Sequence, residues 1–149
     1  MGVFYFLKVG EIDLRIYELL ANLLIVILSA FGFMKGLEMV IRGENSMQNA
    51  SNVYLKMSQY ADIQSIGWFL ITGSIVLLAS IFVKGSASYI LLIIGGLACG
   101  SVHLGYGLLA TESAKVIATY YQNLTLGIYQ YILAAIGVIS LWKIKKNKD

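Results

Sequence analysis

The chain has 149 residues, 58% of them hydrophobic and 13% charged, with a formal net charge of +3. A water-soluble domain this small has too much surface for its volume to hide so much apolar side chain, so lipid is read as the solvent of its outer surfaces. The single cysteine, Cys99, excludes an intrachain disulfide, a CxxC redox pair and a cysteine zinc cluster, and the positive charge gathered in "KIKKNKD" reads as an orientation signal, not a nucleic-acid surface.

The opening "MGVFYFLKVG" is apolar but too short to cross a bilayer, and reads as an interfacial segment. The polar residues after it, and the distance of the first long apolar run from the start, argue against a simple signal peptide. That first run, containing "LLANLLIVILSAFGFM", predicts a span over about 17–40. The polar segment over about 42–64 predicts the main outer loop. "SIGWFLITGSIVLLASIFV", residues 65–83, has no charge in its 19 residues and predicts a second span. "KGSAS" is a tight inner turn, 89–110 a third span, "TESAKVIATYYQN" a second outer connection, and 124–142, containing "LGIYQYILAAIGVISLW", a fourth span. Proline is absent, so no proline kinks are expected.

The four spans make one transmembrane domain of residues 1–149, an all-α integral membrane four-helix bundle with both termini on one side. Lys8, Arg15, Lys84, Lys143, Lys145, Lys146 and Lys148 then share a side, and Lys35, Arg42, Lys56 and Lys115 lie on or near the other. That asymmetry predicts cytoplasmic termini, with the plasma membrane as the location. Tyr17, Tyr89 and Trp142 fall at inner ends, and Trp68, Tyr106, Tyr120 and Tyr121 at or near outer ends, where amphipathic rings are favoured.

Small residues recur at helical spacing. Gly96, Gly100, His103, Gly107 and Ala110 share a face of the third span; Gly32 and Gly36 lie on one face of the first, and Gly137 aligns with Gln130 and Ala134 in the fourth. Such faces allow close backbone approach, so Gly32, Gly36, Gly96, Gly100, Gly107 and Gly137 are read as helix-packing positions, or as a seam between copies of the chain.

His103, the chain's one histidine, shares its face with the glycines and should therefore point at protein, in the outer third of the bilayer. Gln130 and Tyr129 fall at similar depth, Lys35 and Glu38 near the outer end of the first span, Tyr106 near that of the third, and Thr72 about a turn inward from Trp68. Together they form a candidate ligand site, with His103 as hydrogen-bond donor or proton relay and Gln130 and Tyr129 orienting the ligand. The competing reading is structural: Lys35 pairs with Glu38 three residues on, and His103 with Gln130 as interhelical glue. These residue types suit a quinone or a lipid head group. Haem is disfavoured, because one histidine supplies one axial ligand per chain. No catalytic triad, metal-ligand cluster or phosphate loop is evident. "NAS" at Asn49 and "NLT" at Asn123 match the glycosylation sequon, and both fall outside in this topology.

"SAFGFMKGLEMV", "WFLITGSIVLLASIFVKGSASYILLIIGG" and "VHLGYG" resemble, in order, the first helix, the second helix with its basic turn and third helix, and the late third-helix histidine of the DoxX-like family of four-helix membrane proteins. The likeness covers about residues 24–108 and rests on Lys35, Lys84 and His103; the absence of proline departs from the family's outer loop. The resemblance implies a role in a membrane oxidoreductase assembly linked to quinones, without fixing a reaction. The reading that follows is a small polytopic membrane protein without catalytic activity of its own, an accessory subunit whose partners are the bilayer and other membrane subunits or itself. The alternatives are a small channel, transporter or pore-forming protein, and a membrane immunity or regulatory protein.

Overall fold

The structure is a computed structural model that describes residues 2–42, 52–113 and 117–146. Its elements are all helical: α1 (Gly2–Arg42), α2 (Asn52–Ser58), α3 (Ile63–Ala79), α4 (Ser86–Ser113) and α5 (Ile117–Lys146), with no strand among the described residues. In lipid a chain has no water to satisfy its amides, so a long apolar segment closes its hydrogen bonds on itself as a helix. Three stretches, Ile16–Ile41, Ser86–Thr111 and Tyr120–Lys146, are long and apolar enough to cross a membrane by length and composition. The chain is accordingly a helical membrane protein. α3 is also apolar but shorter.

Several boundaries differ from the sequence reading. The opening segment is not separate from the first span: α1 is continuous from Gly2, since neither proline nor a capping break interrupts it. The segment expected to be a polar loop contains α2, because Val53, Tyr54 and Met57 put three buried side chains on one face of a short helix. α3 starts after Asp62, whose side chain accepts from the Ser65 amide at 2.8 Å; that bond and its neighbours hold the Asp62 carboxyl below the usual carboxylate range. α3 stops at Ala79, short of the expected end, where tighter turns take over and the Ser80 hydroxyl donates to the Leu77 carbonyl. Gly85, at φ 73°, supplies the left-handed residue that the turn into α4 requires. The expected second outer connection is largely helical, divided between the end of α4 and the start of α5.

α1 packs on α3, α3 on α4 and α4 on α5, while α2 lies against α4 and α3 at one end. Two apolar layers result. Ile25, Leu28, Leu77, Leu92 and Leu133 form one. Met39, Val53, Tyr54, Met57, Ile63, Tyr106 and Ala110 form the other, beneath α2. Buried polar side chains from α1, α3, α4 and α5, Ser29, Ser74, His103 and Gln130 among them, build the site described next.

The α1–α3 crossing is set by Gly36 and Gly67. A Cβ on Gly36 would lie 2.8 Å from the Gly67 carbonyl oxygen, and one on Gly67 would lie 2.8 Å from the Gly36 carbonyl oxygen. Each glycine is thus in direct contact with the other's backbone, closer than any side chain permits. The other packing glycines named above sit at similar junctions: Gly32 against Ser74, Gly96 against Gln130 and Ala134, Gly100 under the Tyr131 ring, Gly107 against Leu124, and Gly137 against Ile93.

Candidate functional site

His103 is 1% exposed and Gln130 is fully buried. The imidazole Nδ1 lies 3.0 Å from the Cys99 carbonyl oxygen, one turn earlier on α4, and 3.0 Å from Gln130 Oε1 on α5. The Gln130 amide nitrogen donates to the Leu28 carbonyl of α1 at 3.4 Å, which orients its oxygen toward the histidine; the reversed amide would set oxygen against oxygen. Two acceptors facing Nδ1 require that it carry the proton, so Nε2 presents a bare lone pair. Among the described residues, His103 Nε2 is the one buried side-chain nitrogen or oxygen without a hydrogen-bond partner.

α3 completes the layer. The Ser74 hydroxyl donates to the Leu70 carbonyl at 2.7 Å and lies 3.5 Å from Cys99 Sγ. Gly32 of α1 faces the same place: a Cβ there would collide with the Ser74 hydroxyl and lie 3.6 Å from His103 Cε1. The imidazole is therefore held among groups from α1, α3, α4 and α5, and this node ties those helices together at one level.

A second polar group lies beneath α2. The Lys35 ammonium donates to Glu38 Oε2 at 2.9 Å and to the Tyr54 hydroxyl at 3.0 Å, and stands 4.5 Å from the centre of the Tyr106 ring. The two tyrosine rings meet edge to face at 5.8 Å. Burial pushes the Tyr54 phenol up to about 12, against the pull of the Lys35 ammonium, so it stays neutral and hydrogen-bonded throughout the physiological range. A charge paired with a carboxylate and faced by an aromatic ring is stabilised where a lone one would not be.

The expected single cluster is thus two. His103 and Gln130 meet directly; Glu38 and Tyr106 each meet Lys35. Thr72 and Tyr129 join neither: Thr72 is exposed and donates to the Trp68 carbonyl of its own helix, while Tyr129 is 47% exposed on the outer face of α5. Tyr54 and Ser74 are the residues that the sequence reading missed. Tyr54 lies in a segment taken for a polar loop, and its one visible signal is the Val53, Tyr54, Met57 spacing. Of the two sequons, the first lies outside the described residues, and Asn123 is buried within α5, where its amide is not accessible to modification. No group of three or more potential metal ligands occurs among the described residues.

Fold and polar node together define a helical membrane protein with His103, Gln130 and Ser74 turned inward. Comparison with family models, curated proteins and solved structures gave no match to this chain.

Proposed function

We propose that the chain is an accessory subunit that docks into a larger membrane complex along the outer flank of α4. The observation that carries this reading is Gly105. From Gly32 onward, each of the other described helical glycines would bring a Cβ into contact with a neighbour; at Gly105 nothing lies within 4 Å. Its missing side chain has no use within the chain. It lies in a groove of about 460 Å³ bounded by Met57, Ile66, Ser101 and Leu108. Ser101 and Gly105 are four residues apart, the spacing at which a helix admits the close approach of another helix in lipid. The complex proposed is a membrane oxidoreductase assembly, as the DoxX-like resemblance implies.

In this reading α3 is the fourth crossing. Its residues 63–79 rise about 25 Å at roughly 1.5 Å each, close to the bilayer core of about 30 Å, and the turns after Ala79 carry the chain toward the surface. Both termini are then cytoplasmic, on the side richer in lysine and arginine. Cys99 is fully buried, so cysteines introduced at exposed positions report alone. Gln59→Cys is expected to react with a membrane-impermeant maleimide on intact cells and Lys145→Cys only after permeabilisation; the reverse pattern would invert the topology.

Docking is tested by Gly105→Leu, which fills the groove from its own wall. The variant should fold and reach the membrane normally. Extracted in mild detergent, the wild-type chain should elute as part of a heteromeric complex, and the variant should show about tenfold less of it, equivalent to about 1.4 kcal/mol of interface energy. A complex made only of copies of this chain, or one indifferent to Gly105→Leu, would refute the reading.

A further inference from the structure

We propose that His103 Nε2 is the docking atom for a hydroxyl group, that of a membrane-dissolved phenol or alcohol which enters sideways between α1 and α3. The bonding of the ring sets the polarity of the site. The Cys99 carbonyl and Gln130 Oε1 both take the Nδ1 proton, so the remaining nitrogen can only accept. A carbonyl compound has no proton to offer it, whereas a hydroxyl compound has. In a bundle whose other described buried side-chain nitrogens and oxygens are all paired, one open acceptor is a vacancy of defined polarity.

A route reaches the same level. A cleft of about 280 Å³ runs between α1 and α3; Ala30, Phe33 and Ile75 at its mouth are exposed, while Ser29 and Ser74 at its floor are buried. Both floor hydroxyls donate to carbonyls of their own helices, so neither competes for the lone pair of the ring. Beyond Ser74 stands Gly32, where a Cβ would collide with the Ser74 hydroxyl and lie 3.6 Å from His103 Cε1, so Ser74 and the ring meet beside this one glycine. An apolar cleft that ends on two small hydroxyls, with the buried imidazole on the far side of the Ser74–Gly32 contact, suits an apolar body with one hydroxyl at its tip, which reaches Nε2 when the Ser74 side chain turns aside. The cleft lies on the α1–α3 side, away from Gly105, so this site and the docking flank can fail separately.

The chain's one histidine makes the test direct, because each ring nitrogen gives a single resonance in protein labelled with ¹⁵N-histidine. In lipid nanodiscs Nδ1 should resonate as protonated and Nε2 as bare. Adding 4-hexylphenol should move Nε2 toward the hydrogen-bonded range; 4-hexylanisole, its methyl ether relative, should leave it in place. Ala30→Phe, which fills the mouth from an exposed position, should abolish the phenol shift and keep the same tautomer, and Ala30→Leu provides a smaller obstruction for the same purpose. Four results would overturn the proposal: the opposite tautomer, an Nε2 resonance unmoved by the phenol, an equal response to the ether, or an Nε2 already bonded to water that the phenol does not displace. An undiminished phenol shift in both Ala30 variants would overturn the route.

Discussion

Gly36→Leu will separate α1 from α3. The obstruction is backbone: a Cβ at Gly36 meets the Gly67 carbonyl oxygen at 2.8 Å and the Ile71 amide nitrogen at 3.0 Å, and neither can rotate away as a side-chain tip would. The larger side chain therefore pushes the helices apart, and the Gly67 contact with Met39 and Val40 is lost with it. Overpacking of this kind costs about 1–3 kcal/mol, and the upper end is expected here because rigid atoms are involved. Unfolding in mixed micelles, followed by the fluorescence of Trp68 and Trp142, should show the loss. Gly105→Ala is the control: with nothing within 4 Å of the new methyl group and alanine the better helix former, its transition should fall no lower than that of the wild type. A Gly36→Leu protein as stable as its parent would mean that α1 and α3 do not cross at this pair.

The second large effect is local. Tyr54→Ala will release α2 while the long helices stay associated. Tyr54 is buried against Met39, Met57, Tyr106 and Ala110, and its hydroxyl accepts from Lys35. A seven-residue helix cannot hold itself together, so its stability comes from this face. Removing a buried aromatic ring costs about 3–5 kcal/mol, more than such a short element can spare. Amide hydrogen exchange over residues 52–58 should accelerate to that of an unstructured peptide, with α4 and α5 unchanged. Tyr54→Phe keeps the ring and loses a hydrogen bond from a charged donor, for a cost of about 1.5–3 kcal/mol, so its exchange should rise less than that of Tyr54→Ala. Rapid exchange across α4 as well would show that α2 is part of the cooperative bundle rather than a cover on it.

The two variants also show where sequence reasoning reaches its limit. The stripe Gly96, Gly100, His103, Gly107 was visible because residues on one helical face recur at fixed intervals. Periodicity identifies a face but not its partner. It did not single out Gly67 opposite Gly36, or place Gly95, beside the stripe, against the backbone of Leu77. Residue count along their helices put Thr72 and Tyr129 at the level of the site, yet rotation about the helix axis turned both outward. Depth follows from residue count, whereas rotation follows from which neighbours pack.

What the amino-acid sequence determined by itself is the solvent and the element type. Long apolar runs without proline are helices suited to lipid, because burial in hydrocarbon leaves the backbone no other way to satisfy its polar groups. It also restricted the chemistry, through one histidine and one cysteine. Only the tertiary structure decided that the polar residues divide into two groups, that Tyr54 reaches Lys35, and that two oxygens on separate helices hold the His103 proton on Nδ1. Hydrogen bonds between helices depend on ångström-scale distances between residues far apart in sequence, and the spacing of residues along one helix carries no information about them.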